Sequence, residues 1–252
     1  MDEAIEEGYE ITERPEGPMP ELVLLCPKEQ KCLCLFYDKD TGHIAGLNIG
    51  IRKDAVYNAT FDWEEQGWTD WEVPSEDGNT VSYLSIQQFY CSPEFVKKTP
   101  EERIASRKAN KMLPENAIWL SGFNKHIDRI STSQDEVLRS SGFTEQGFVP
   151  FMGKHQYYNM SSSTECSGDK LYPWFTLCDG GKVIGTGLMI FGNIDDTKNG
   201  CNYFEEPSKS AVEFIVNKGP KCLYDLAEKP GVRTMHIYYM ASPWTIVLPF
   251  GK

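Results

Sequence analysis

Eight cysteines, Cys26, Cys32, Cys34, Cys91, Cys166, Cys178, Cys201 and Cys222, are scattered along the chain, and no two form a C-x-x-C pair. That spacing speaks against a thiol-only zinc site or a thioredoxin-type motif, and for a disulfide framework. Cys32 and Cys34 would share one face of a strand, where neighbours rarely bridge each other. The set allows on the order of a hundred pairings, and the sequence selects none of them. Two sequons, Asn58-Ala59-Thr60 and Asn159-Met160-Ser161, point with the cysteines to an oxidising, secretory compartment. The opening residues are acidic, unlike a signal peptide. The expectation is a secreted, extracellular glycoprotein whose leader has been removed, with Met1 in its place.

Composition narrows the class. Of 252 residues, 40% are hydrophobic and 25% charged, the balance of a globular protein. The apolar run Leu22 to Cys26 is far too short for a transmembrane helix. Net charge is −12, and residues 1–21 hold eight acids against the single base Arg14. An acidic chain argues against nucleic acid, whose phosphates need clustered Lys and Arg. With Pro15, Pro18 and Pro20, residues 1–21 read as an extended, solvated acidic arm. Residues 22–252 read as a single globular domain.

Its class reads as α+β, mostly antiparallel sheet with a few short helices. Strand patterns cover Leu22 to Cys26, Cys32 to Tyr37, His43 to Ile51 and Val81 to Tyr90. Others cover Ala117 to Leu120, Pro173 to Leu177, Lys182 to Gly192, Arg233 to Ala241 and Trp244 to Pro249. In the Val81 strand, Tyr83, Ser85, Gln87 and Phe89 share a face. Ser75 to Asn79 reads as a turn. Thr99-Pro100-Glu101-Glu102 is a capping box that opens a helix toward Met112. That helix carries Arg103, Arg107, Lys108 and Lys111, a solvated basic face. Further helices open at Ser133 and at Pro207-Ser208, and a short fourth covers Cys222 to Lys229. Asp38 to Gly42 and Asp179 to Gly181 are similar hairpin turns, each followed by a helix and then a strand. They suggest two pseudo-repeated halves, 22–144 and 145–252, with a ligand crevice at their junction.

Candidate chemistry centres on four histidines. His43 lies beside a hairpin turn, and His126 sits within Phe123 to Asp128 next to hydrogen-bonding side chains. On a strand, His236 and Tyr238 share a face, and so do His155 and Tyr157. A histidine among apolar and tyrosyl neighbours is desolvated, hence neutral and able to accept a proton. Asn159 would share the face of His155 if that strand continued, which conflicts with a buried histidine beside a glycan. No H-E-x-x-H, Walker loop, G-x-S-x-G elbow or dinucleotide fingerprint occurs, and Gly185-Thr186-Gly187 lacks the third glycine. Histidines with Met152, Met160, Met235 and Met240 would offer copper donors, although the expected H-x-H pair is missing.

Phe151 to Asn159, Leu171 to Asp179 and Thr234 to Tyr239 resemble a group of secreted insect proteins that includes the lepidopteran fatty acid hydroperoxide dehydratases. The resemblance lies mainly over residues 145–240. It implies a haem-free lyase, without a cofactor, that dehydrates a polyunsaturated fatty acid hydroperoxide to the keto fatty acid. Such chemistry needs a base at the carbon bearing the hydroperoxide and an acid for departing hydroxide. His236 is the expected base, and His155, Tyr238 and Tyr157 are the acid or positioning groups. The partner is then a small lipid substrate. The cysteines are expected to be committed to disulfides, leaving none to ligate haem. Two other readings remain open: a noncatalytic carrier of apolar ligands, and a copper monooxygenase-like protein. The sequence does not give the oligomeric state.

Overall fold

A computed structural model describes residues 1–75 and 78–246 of the chain. The N-terminal part runs α1 (Asp2–Glu6), β1 (Tyr9–Thr12), β2 (Leu22–Pro27), β3 (Leu33–Asp38) and β4 (Ile44–Arg52). It continues through β5 (Val56–Tyr57), β6 (Thr69–Pro74), β7 (Thr80–Phe89), α2 (Pro93–Val96), α3 (Pro100–Ser106), β8 (Ala117–Ser121) and β9 (Ile127–Ser131). Then come α4 (Gln134–Ser140), β10 (Phe143–Val149), β11 (Gly153–Tyr158), β12 (Trp174–Asp179), β13 (Lys182–Phe191) and β14 (Asn193–Ile194). Last are α5 (Asp196–Asn199), α6 (Lys209–Ile215), α7 (Lys221–Leu226) and β15 (Val232–Tyr238). The class is α+β with antiparallel sheets, as the alternating patterns and Gly-ended turns require.

Instead of one domain, the chain forms two compact units. The first comprises residues 1–57, 67–130 and 194–202; the second comprises 58–66, 131–193 and 203 onward. In the first, β1-β2-β3-β4-β7-β8-β9 make one sheet, and β6 also pairs with β7. Residues 1–21 are not a solvated arm. Their α1 buries Ala4 beside Leu25 and Tyr37, and β1 pairs with β2. The segment Glu13 to Met19 then crosses the sheet as a strap. Its Glu13 and Glu16 carbonyls accept hydrogen bonds from Trp71 and Gln87, and Met19 is buried in the core. Arg14 bonds to the Pro18 and Met19 carbonyls and stacks on Phe36. Paired backbone and one well-placed cation outweigh the self-repulsion that the acid count suggests.

The capping box of α3 is formed, but the helix ends at Ser106, and of the four cations read as a solvated face only Lys108 and Lys111 are exposed. Arg103 is buried against Asp38 and Asp40 at 3.0 and 2.6 Å, and Arg107 is buried over the Phe95 ring. Charge on a short helix told nothing of acids more than sixty positions earlier.

In the second unit β10-β11-β12-β13-β15 form an antiparallel sheet. Residues Val212 and Val216 of the α6 region, and Leu223 of α7, pack on Tyr157, Phe175, Leu177 and Phe191. Both expected hairpins form, each with a register shift. The elements after them differ: β4 pairs with β7 and β13 with β15, while β8 pairs with β7. Their likeness is that of two turns with similar chemistry, and the halves 22–144 and 145–252 do not coincide with the units. Residues 243–245 form a helical turn rather than a strand; 247–249 lie outside the described residues, as do the central residues of the 75–79 turn.

Three disulfides form, Cys26–Cys34, Cys32–Cys201 and Cys166–Cys222, whereas Cys91 and Cys178 are free and buried. The full commitment of the cysteines is thus corrected: burial pushes both thiols up to about 12, so they pack as inert apolar groups. Both sequon asparagines are exposed, Asn58 at φ 56° and Asn159 at φ 44°. β11 stops at Tyr158, so Asn159 leaves the face of His155 and the conflict between them disappears. No helix among the described residues is long and apolar enough to cross a membrane.

Candidate active site

Four strands of the second unit bring the predicted residues together. Register places Tyr157, Phe175, Gly187 and His236 in one row across β11, β12, β13 and β15. The adjacent row is His155, Leu177, Gly185 and Tyr238. Side chains two apart share a face, so all eight positions look the same way. Three strand spacings would hold β11 and β15 about 14 Å apart in a flat sheet. Yet the rings of His155 and His236 lie only 5.9 Å apart, nearly perpendicular.

Glycine at 185 and 187 makes this convergence possible. A Cβ at Gly187 would drive into the Phe175 ring, and one at Gly185 would crowd Leu177 and Tyr238. With nothing on β13, Phe175 lies down over Gly187 and contacts both histidines, at 5.6 Å from His155 and 5.4 Å from His236. Tyr157 and Tyr238 stack parallel to His155 and His236, each at 6.4 Å. The Gly-Thr-Gly run therefore supports an aromatic cluster and has no bearing on dinucleotides.

These residues border a cleft between sheet and helices that encloses about 540 Å³, part of it open to solvent. His155, Tyr157 and His236 line it with Met189, Phe191 and Leu223 among the apolar walls. Tyr238 does not line it and acts only as support for His236. His155 is 1% exposed. Burial lowers its pKa to about 3, His236 adds to the shift, and the Gly153 and Gly147 carbonyls oppose it. Its Nδ1 lies 3.2 Å from the Gly153 carbonyl, and its buried Nε2 has no hydrogen-bond partner. With Nδ1–H donating to that carbonyl, Nε2 is left with a lone pair and no donor. Burial holds Tyr157 protonated by raising its pKa, and raises Tyr238 to about 12.

His236 sits nearer the mouth. Burial also lowers its pKa, while Glu205 raises it. Glu205 Oε2 stands 3.5 Å from His236 Nδ1. Glu205 is placed there by paired backbone bonds to Thr234 at 2.7 and 3.0 Å, which strap it along β15. Sequence inspection missed Glu205, Phe175 and the two glycines. The i, i+2 pattern marks a strand face, but it does not reveal which distant carboxylate runs beside that strand. His43 and His126 take no part in the cleft. Among the described residues, no three His, Cys, Asp or Glu side chains cluster to hold a metal ion.

Comparison with protein-family models, curated proteins and solved structures finds no match to this chain.

Proposed function

We propose that the protein is a secreted enzyme that dehydrates polyunsaturated fatty acid hydroperoxides to keto fatty acids at this cleft. The observation that carries the reading is a carboxylate–imidazole pair, Glu205 and His236, at the mouth of an apolar cleft with a second neutral imidazole facing it. Three disulfides and two exposed sequons support export.

Glu205 Oε2 stands 3.5 Å from His236 Nδ1 without a hydrogen bond between them, so in this reading the carboxylate closes on Nδ1–H when substrate binds and leaves Nε2 free as base. Nε2 takes the hydrogen from the carbon bearing the hydroperoxide. The C–H electrons form the C=O bond, the O–O bond breaks, and hydroxide departs. A proton from the His236 imidazolium, or from Tyr157, completes water, so hydroperoxide yields ketone and water with no external oxidant or reductant. His155 is a positioning group whose Nε2 lone pair accepts the hydroperoxide O–H. The rest of the acyl chain lies along the apolar wall.

Incubation of the pure protein with linolenic acid hydroperoxide tests this. The expected product absorbs as a conjugated dienone. Unchanged hydroperoxide that nevertheless co-elutes with the protein would overturn the enzyme reading in favour of a carrier, which the apolar lining also suits.

A further inference from the structure

The first unit contains a second cleft of contrasting chemistry, enclosing about 520 Å³, part of it open to solvent. Its floor is β-sheet, and its cover is the strap at Glu16, Gly17 and Pro18. Ser85 and Gln87 of β7 line the floor with Thr69 of β6 and Ser121 of β8. Register sets Thr69 opposite Ser85 and Asn48 opposite Gln87; Ser121 lies one step past the Gln88–Leu120 pair. Five uncharged hydrogen-bonding side chains therefore share one sheet face. On either side of them that face is core: Tyr83 and Trp71 at one end, Phe89 and Trp119 at the other.

Such a polar break in a core is costly unless its groups are paired. Ser85 is 0% and Gln87 2% exposed. Ser85 Oγ donates to Asn48 Oδ1 at 2.6 Å, and Gln87 Nε2 donates to the Glu16 carbonyl at 3.1 Å. Asn48 Nδ2 is buried with no partner. Gly17 lets the strap close directly on Gln87, since a Cβ there would strike the carboxamide. The lining charges are one acid, Glu16, and one base, Lys125, which cancel. A phosphate or carboxylate ligand finds no surplus cation, and an apolar ligand would strand the hydroxyls. A ligand with several hydroxyls and no charge satisfies both conditions.

We propose that this cleft binds a neutral polyhydroxylated ligand of the size of a monosaccharide. The test is titration of the full chain with D-glucose, D-mannose, D-galactose and N-acetylglucosamine, followed by saturation-transfer NMR and calorimetry. At least one sugar binds, and Gln87→Met weakens it about tenfold or more, as loss of a hydrogen bond to a buried partner does. Thr69→Val keeps the side-chain shape and strand propensity, so it weakens binding with the fold intact even if Gln87→Met does not fold. No binding of any of the four sugars overturns the proposal, as does binding that survives in Thr69→Val and in every folded Gln87 variant.

Discussion

Replacing His236 with alanine lowers turnover of the hydroperoxide about 10²- to 10⁴-fold, the usual contribution of a positioned general base. The side chain is only 11% exposed and packs against Phe175 and Tyr238, so its loss also costs packing, and turnover is compared on protein shown to be folded. Near-ultraviolet circular dichroism stays native, and lipid binding survives because the apolar wall is untouched. Full turnover in a folded variant would remove His236 from the chemistry. Its pH dependence is set by the same site. Burial lowers the His236 pKa, so the base is neutral at pH 7 and the acid limb of kcat/KM falls below the ordinary imidazole value near pH 6.5. Glu205 is the one influence that raises that pKa. Glu205→Gln therefore moves the acid limb to lower pH while reducing the rate, a signature that a merely structural residue would not give.

The second large effect is on stability. His155 titrates at about 3 in the folded chain and near 6.5 when unfolded. Between those values the unfolded chain takes up a proton that the folded chain refuses, so stability rises with pH across this window. The contribution is complete above pH 6.5 and is lost as pH falls toward 3. It amounts to on the order of 5 kcal/mol at 1.36 kcal/mol per unit, a large share of the roughly 5–15 kcal/mol that holds a domain folded. His155→Phe keeps a planar ring between Tyr157 and Phe175 and removes the titration. Urea unfolding at pH 7 and pH 4 measures the difference. The natural chain is expected to lose about 3 kcal/mol more than the variant over that interval. Equal losses would mean that His155 is not desolvated as the fold implies.

Local signals in the sequence were read correctly where one strand or one turn decides the outcome. The β3–β4 and β12–β13 hairpins, the α3 capping box, and the shared faces of His155 with Tyr157 and of His236 with Tyr238 are of this kind. What escaped needed partners from far along the chain. The neighbours of β11 and β15 are set by sheet pairing, so nothing local indicated that the two histidines meet over Gly185 and Gly187. Glu205 reached His236 through a strap, and Asp38 turned Arg103 from a surface cation into a buried one. The same holds for the strap at Glu13 to Met19: its acids and prolines look like a tail until the Trp71 and Gln87 side chains that hold it are known.

The most direct measurement uses a linolenic acid hydroperoxide deuterated at the carbon that bears the OOH group, with EDTA present, followed by mass spectrometry. The expected product is a ketone lighter than the labelled substrate by one HOD and carrying no deuterium, because the base removes that hydrogen. A product that keeps the deuterium, or substrate that is returned unchanged, would contradict it.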